Sequence, residues 1–173
     1  MPSLIRMIYL ATPYSHPDAA VREARFHNAC TIAGKLISSG LPVFCPIAHT
    51  HPIAIAEELP LGFDYWSMFD RFFIEACDGV YVVRMPGWLE SKGIRWEIEM
   101  ARKLGKEVDF LGVDEYGNPL SLKCEQEHHE HCTWHHCACP CHNHNKEKEL
   151  KNANSDRDGK TNRIRDSETC SGR

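Results

Sequence analysis

Within the first 113 residues, the spacing of apolar side chains switches repeatedly between the two periods of regular structure. Met7-Ile8-Tyr9-Leu10-Ala11 is a short continuous apolar run that ends at Thr12-Pro13-Tyr14-Ser15. A run of that length bounded by turn residues predicts a buried strand followed by a loop. Over residues 18–39 the pattern becomes helical, with Phe26, Ala29, Cys30, Ala33, Leu36 and Ile37 on one stripe and Gly40 as the stop. Residues 41–46 predict a second strand, at a sheet edge because its prolines cannot donate to a ladder. A long loop holding His49 and His51 is expected next. Residues 64–77 then read as a helix and 79–83 as a third strand. A helix follows over about residues 91–104, stopped by Gly105, and a fourth strand over 108–113.

Apolar strands alternating with helices predict an α/β fold: a doubly wound, flavodoxin/Rossmann-like parallel sheet covered on both faces. Ligands on such sheets sit beyond the carboxyl ends of the strands. The loops after Ala11, Cys45 and Val83 are therefore expected around one crevice.

Hydrophobicity, not charge, marks where this fold stops. After Leu122 the large apolar side chains are Trp134, Leu150 and Ile164. Too little can be buried there to offset the entropy of ordering, so residues 145–173 are expected to form a disordered charged tail. The fold is assigned to residues 1–122 and a Cys/His-rich tract to 123–144. The net charge of −4 argues against a nucleic-acid or membrane-surface partner. No apolar run approaches the roughly 20 residues of a membrane span, and the opening residues are too short for a signal-peptide core. Nine cysteines, three scattered, five crowded between Cys124 and Cys141 and the last at Cys170, do not form the even framework of a secreted disulfide protein. A cytoplasmic location is expected.

Two carboxylates fall on the wrong faces of their helices. Glu97 lies four after Gly93, three after Ile94, three before Met100 and four before Ala101, so it points with the apolar stripe of Gly93, Ile94, Met100, Ala101 and Leu104. Glu99, four from Arg95 and from Lys103, belongs to a solvated ion-pair face. Asp70 sits four after Trp66 and three before Phe73, on a stripe completed by Ile74 and Cys77, while Arg71 and Glu75 take the wet face. A lone inward carboxylate is as readily a helix-dipole or buried-pair device as a catalytic group. Two of them on helices flanking one crevice favour a site, because such pairs perform nucleophile and acid/base work, as in glycoside cleavage.

These residues resemble the nucleoside 2-deoxyribosyltransferase superfamily, and more closely the DUF1937 family. The matching pieces are Ile8-Tyr9-Leu10-Ala11-Thr12-Pro13-Tyr14, then Asp70 with Asp78 and the strand Val80-Tyr81-Val82-Val83, and finally Ser91-Lys92-Gly93-Ile94-Arg95-Trp96-Glu97-Ile98-Glu99-Met100-Ala101. The resemblance spans about residues 7–111. It implies that Glu97 is the catalytic nucleophile that attacks the anomeric carbon of a sugar, giving a glycosyl-enzyme ester. It implies that Tyr9 lies near the sugar and orients Glu97, and that Asp70 holds or protonates the leaving base. Asp78 reads as structural.

One departure shifts the expected substrate. The transferases usually carry an aspartate two residues before the glycine of the last motif, and this chain has Ser91. The related nucleoside 5′-monophosphate N-glycosidases place a serine there, on the 5′-phosphate. A neutral hydroxyl and free N–H groups at a helix N-terminus suit a phosphate dianion, although on sequence alone a plain N-cap is the simpler account of Ser91, and both roles can coexist. Gly93, Thr12, Pro13, Ser15, Arg84, Lys92 and His49 complete the substrate- and phosphate-binding candidates. The expected function is an N-glycosidase of (deoxy)nucleoside 5′-monophosphates, with base exchange between nucleosides as the neighbouring alternative. A small-molecule nucleotide substrate and a homo-oligomer are expected, and no cofactor is required for the chemistry.

The tract after Leu122 carries its own chemistry. Five cysteines and seven histidines fall between Cys124 and His144, a set of soft ligands for zinc, copper or nickel. Cys132, Cys137, Cys139 and Cys141 are the candidate zinc ligands. Cys-x-Cys spacing with one apolar anchor, Trp134, is closer to a metal-scavenging tract than to a folded zinc module. A non-catalytic nucleotide-binding or metal-sequestering protein is the alternative from a different class.

Overall fold

The computed structural model describes residues 6–114 and 118–121 of the 173-residue chain. Its elements run β1 (Ile8–Ala11), α1 (Ala19–Ser38), β2 (Val43–Phe44), α2 (Pro46–Ala56), α3 (Phe63–Ala76), β3 (Gly79–Val83), α4 (Lys92–Lys103), β4 (Glu107–Val113) and β5 (Pro119–Ser121). They form an α/β fold around a five-stranded sheet of order β2-β1-β3-β4-β5. β1 pairs in parallel with β2 and β3, and β3 with β4, in the register Ile8 to Gly79 and Gly79 to Glu107. β5 closes the far edge antiparallel to β4, with Gly112 opposite Leu120.

Successive side chains leave a strand on opposite faces, and both faces of this sheet are covered. Ile8 and Leu10 pack with Ala29, Ile32, Ala33 and Leu36 of α1. Tyr9, Ala11, Val80 and Val82 pack on the other side with Ile74 of α3 and with Ile94 and Ala101 of α4. Asp18 starts α1 as its N-cap, its side chain accepting the Ala20 N–H at 2.8 Å. Asp78 is structural as expected, its carboxylate accepting the Met7 N–H at 2.7 Å and so fixing the entrance of β1 beside β3.

Four features differ from the sequence reading. The expected loop around His49 and His51 is the helix α2. Pro46 takes its first helical position, where the missing N–H is no loss, but Pro52 lies inside it and removes a ladder bond. Pro46, His51 and Ala54 are buried there while Ile53 and Ile55 are exposed, so no apolar stripe announces the helix. In α1 the buried stripe is Ala29, Ile32, Ala33 and Leu36, and Ile37 faces solvent. Leu104, expected on the inner stripe of α4, is also exposed. Finally, β2 is only two residues long, although it does lie at the sheet edge, and β5 adds an antiparallel strand to the expected parallel sheet.

α3 keeps Ile74 inside and leaves Tyr65, Met68, Phe69 and Phe72 exposed. Cys30, Cys45 and Cys77 are free thiols, the last two buried as ordinary packing. No helix among the described residues is long and apolar enough to cross a membrane. The Cys/His tract with Cys132, Cys137, Cys139 and Cys141, and the charged tail after it, lie outside the described residues. Among the described residues no group of three or more His, Cys, Asp or Glu is placed to hold a metal ion.

Candidate active site

From β1 the chain crosses to β2 on one side, and from β3 it crosses to β4 on the other. The switch point between β1 and β3 is where such sheets open a crevice. A cleft of about 580 Å³, open mouth included, is lined by Thr12, Ser15, Asp70, Ser91, Gly93 and Glu97. These six were all candidates from sequence. Tyr14, Ile47, Thr50, His51, Ala54, Leu61, Phe63, Trp66 and Ile94 complete its walls.

Glu97 reaches this cleft because α4 is amphipathic with Ile94, Glu97 and Ala101 all on the buried side. The helix start is held by Ser91, whose Oγ accepts the Ile94 N–H at 3.2 Å, and by a Lys92–Asp64 ion pair of 2.8 Å to the start of α3. Phe63 meets Trp96 edge to face, a second tie between the two helices. Glu97 is only 6% exposed. The hydroxyl of Tyr9, itself fully buried, donates to Glu97 Oε1 at 2.7 Å. Glu97 Oε2 has no hydrogen-bond partner among the described residues, and neither has the buried Thr12 Oγ1. Buried polar groups are normally satisfied, so two orphans on one cleft mark the place of a ligand or water.

Burial is the main force on the Glu97 carboxyl and, with the nearby Asp70 charge, pushes its pKa up to about 8 against the opposing Tyr9 hydrogen bond. Burial likewise raises Asp70 to about 6, again opposed by Tyr9. Tyr9 is shifted well upward by its own burial and then by the two carboxylates, so it stays a neutral donor. At neutral pH the pair as a unit holds one proton. One carboxylate is thereby available as a nucleophile and one carboxyl as an acid, which is the division of labour that glycoside chemistry uses.

The remaining candidates are placed elsewhere. Pro13 is fully buried beside the cleft without lining it. Arg84 lies outside the cleft, its guanidinium 5.8 Å from the Trp88 ring centroid. His49 is on the exposed side of α2 with its ring against Phe44 and Phe73. Lys92 is engaged by Asp64 and by the face of Phe63 at 4.9 Å. Arg71 and Glu75 pair at 2.8 Å on the wet face of α3, and Glu99 is exposed, as their spacing predicts. His51 is different from the exposed loop residue expected: it is 7% exposed and hydrogen-bonded to Tyr14. The spacing Ile47, His51, Ala54 carries that signal once α2 is known to be a helix.

The family model described as "Domain of unknown function (DUF1937)" matches residues 6–112, most of the described fold and all of the cleft. The chain belongs to the DUF1937 family. No curated protein matches it. Among solved structures it is similar to a 2-desoxiribosyltransferase from Leishmania mexicana, at 22% identity and a TM-score of 0.41. That match covers 63% of this chain and 65% of the other. Within this DUF1937 chain the motif pieces around Tyr9, Asp70 and Ser91–Glu97 all fall in the matched segment.

Proposed function

We propose that this DUF1937 protein cleaves the N-glycosidic bond of (deoxy)nucleoside 5′-monophosphates. The observation that carries the reading is the Glu97 carboxyl: buried on the cleft wall, held at one oxygen by Tyr9, and unpartnered at the other. In this scheme the reacting form is the one in which the pair's single proton has moved from Glu97, where burial favours it, to Asp70: the ionised Glu97 then attacks the anomeric carbon through Oε2 while Asp70 gives its proton to the departing base. The carbon–nitrogen bond breaks and a glycosyl ester of Glu97 forms. Water then attacks the ester, Asp70 removing its proton, and releases the sugar phosphate with Glu97 restored. Tyr9 fixes the carboxylate, and Phe63 and Trp66 offer apolar faces to the base.

The monophosphate part of the reading rests on Ser91. Its Oγ caps α4 by accepting the Ile94 N–H, and Ser91 and Gly93 both line the cleft, so the start of the helix borders that space. That is an anion-binding arrangement, and an aspartate at this position would repel a phosphate dianion. Gly93 adds no steric necessity: a Cβ there would meet Phe63 and Ser91 at 3.7 Å, an ordinary contact. The scheme needs no resident cofactor, and a homo-oligomer is carried over with it from the motif resemblance.

Intact-protein mass spectrometry after mixing with a 5′-monophosphate tests the ester. An adduct with the mass of the sugar phosphate, absent in Glu97→Ala, supports the nucleophile. Base release without any adduct at the shortest accessible times, in a variant lacking the Glu97 carboxyl, would refute it. Adding a second base separates the neighbouring reaction: hydrolysis gives free sugar phosphate, exchange gives a new nucleotide.

A further inference from the structure

The wall of the cleft formed by α2 and α3 has a hydrogen-bonding polarity that the reaction above leaves unused. Each neutral side chain on it that could donate gives its proton to the protein itself. Thr50 Oγ1 donates to the Pro46 carbonyl at 2.9 Å, four residues back along α2. Trp66 Nε1 donates to the Pro60 carbonyl at 2.7 Å. His51 Nε2 lies 3.2 Å from Glu23 Oε2, and a carboxylate only accepts, so that nitrogen carries the ring proton. On the neutral ring Nδ1 is then an acceptor, and the Tyr14 hydroxyl, 2.7 Å away, donates to it. No lysine or arginine among the described residues lines the cleft.

What this wall offers a ligand is therefore lone pairs. Thr50 is half-buried, and its hydroxyl oxygen still accepts after its proton is committed to Pro46. Tyr14 is in the same position, with Arg22 near enough to oppose the rise that burial imposes on the phenol. Ala54, Leu61, Phe63 and Trp66 supply apolar surface around them, so a flat base seated here leaves water behind and its polar edge depends on these few groups. The one proton available from α3 is that of the Asp70 and Glu97 pair. The other hydroxyls of the cleft, on Thr12, Ser15 and Ser91, belong to the loop after β1 and the start of α4. A keto oxygen on the base would meet acceptors with an acceptor, whereas an amino group brings two N–H donors. Adenine and cytosine each carry an amino group beside an accepting ring nitrogen, and hypoxanthine and uracil carry a keto oxygen in its place. We propose that this wall selects a base with an exocyclic amino group, a 6-aminopurine or a 4-aminopyrimidine, with Thr50 Oγ1 accepting from the amino group and the Asp70 carboxyl meeting the neighbouring ring nitrogen. This names the base for the glycosidase reading above and rests on it. Discrimination follows from the mismatch, because a keto base leaves both its own oxygen and Thr50 Oγ1 unpaired.

Matched pairs test this with the full chain at about pH 8, where an imidazole is in its neutral form. Base release is compared between the 5′-monophosphates of deoxyadenosine and deoxyinosine, and between those of deoxycytidine and deoxyuridine. Binding of free adenine against free hypoxanthine reads recognition apart from the chemistry. The expected result is kcat/KM about thirtyfold higher for the favoured amino member of a pair, and adenine bound about tenfold more tightly than hypoxanthine. Thr50→Val keeps the shape and removes the acceptor, and should narrow both preferences about tenfold, the loss falling on the amino member. Thr50→Ser restores the acceptor and should restore the preference. If Thr50→Val does not fold, the wild-type ratios and the free-base binding decide. Keto bases released or bound as well as their amino counterparts, or a preference that Thr50→Val leaves untouched, would overturn the proposal while keeping the glycosidase. Failure of the reaction reads differently: no base release from any monophosphate, with adenine still preferred over hypoxanthine and the preference lost in Thr50→Val, removes the glycosidase and keeps the amino-base pocket.

Discussion

Replacing Glu97 by glutamine should stabilise the protein, and by an amount that grows with pH. Burial raises the Glu97 carboxyl from an ordinary value of 4.5 to about 8. The folded protein therefore keeps a proton that the unfolded chain has already released between those values. Stability is lost as pH rises through that window, because there the native state binds more protons than the unfolded one. At roughly 1.4 kcal/mol per pKa unit, keeping this carboxyl costs less than about 1 kcal/mol at about pH 5, about 3 kcal/mol at pH 7 and about 5 kcal/mol at pH 8.5. A glutamine still accepts the Tyr9 hydroxyl through its amide oxygen but never ionises. Urea unfolding of wild type and Glu97→Gln across this range measures the difference directly. The gap between the two proteins should widen by about 4 kcal/mol from pH 5 to pH 8.5. A gap that stays flat within about 1 kcal/mol would refute the picture of a buried, orphaned carboxyl held for function at the expense of stability.

Base release at low substrate should follow a bell in pH with limbs near 6 and 8, the form with one shared proton being active; Asp70→Asn should reduce the bell to a single limb as well as slow the reaction. Tyr9→Phe removes the hydrogen bond that opposes burial, so the upper limb should move up by about one unit or more and the rate at pH 7 should fall at least tenfold. Gly87→Ala places a Cβ at a φ of +94° against the Arg25 guanidinium, which ties the Ser15 and Pro86 carbonyls together; it should cost about 2 kcal/mol in urea unfolding. Ending the chain after Leu122 should leave base release intact and abolish zinc uptake measured by metal titration, and loss of the activity would show that the tail belongs to the enzyme.

Much of this arrangement is legible in the chain because period alone fixes facing. Glu97 and Asp70 each sit three and four residues from apolar neighbours, so their inward aim follows from helix geometry. The strand 79–83 declares itself as a continuous apolar run, the strand 108–113 as an apolar stretch broken only by Asp109 after the Gly105 stop, and β2 reveals its edge position through its prolines. α2 is hidden for the opposite reason. Two prolines and two histidines interrupt it, Ile53 and Ile55 point outward, and its inner face is assembled from Pro46, His51 and Ala54, which share no hydrophobic signature. The Glu23–His51–Tyr14 chain is invisible to any local pattern, since its members lie 28 and 37 residues apart and meet only when α1 and α2 pack. Ile37 and Leu104 sit at the last turn of α1 and the C-cap of α4, and both are exposed although their spacing puts them with the apolar stripe. β5 is too short to stand out, three residues paired antiparallel with β4.

The most direct measurement is base release from a panel of nucleosides and nucleoside 5′-monophosphates, wild type beside Glu97→Ala, each shown to be folded. Release from monophosphates alone, lost with the Glu97 carboxyl, is the predicted result. Release from monophosphates that survives Glu97→Ala, or none from any substrate by the folded wild type, would contradict the assignment of this cleft as a glycosidase site.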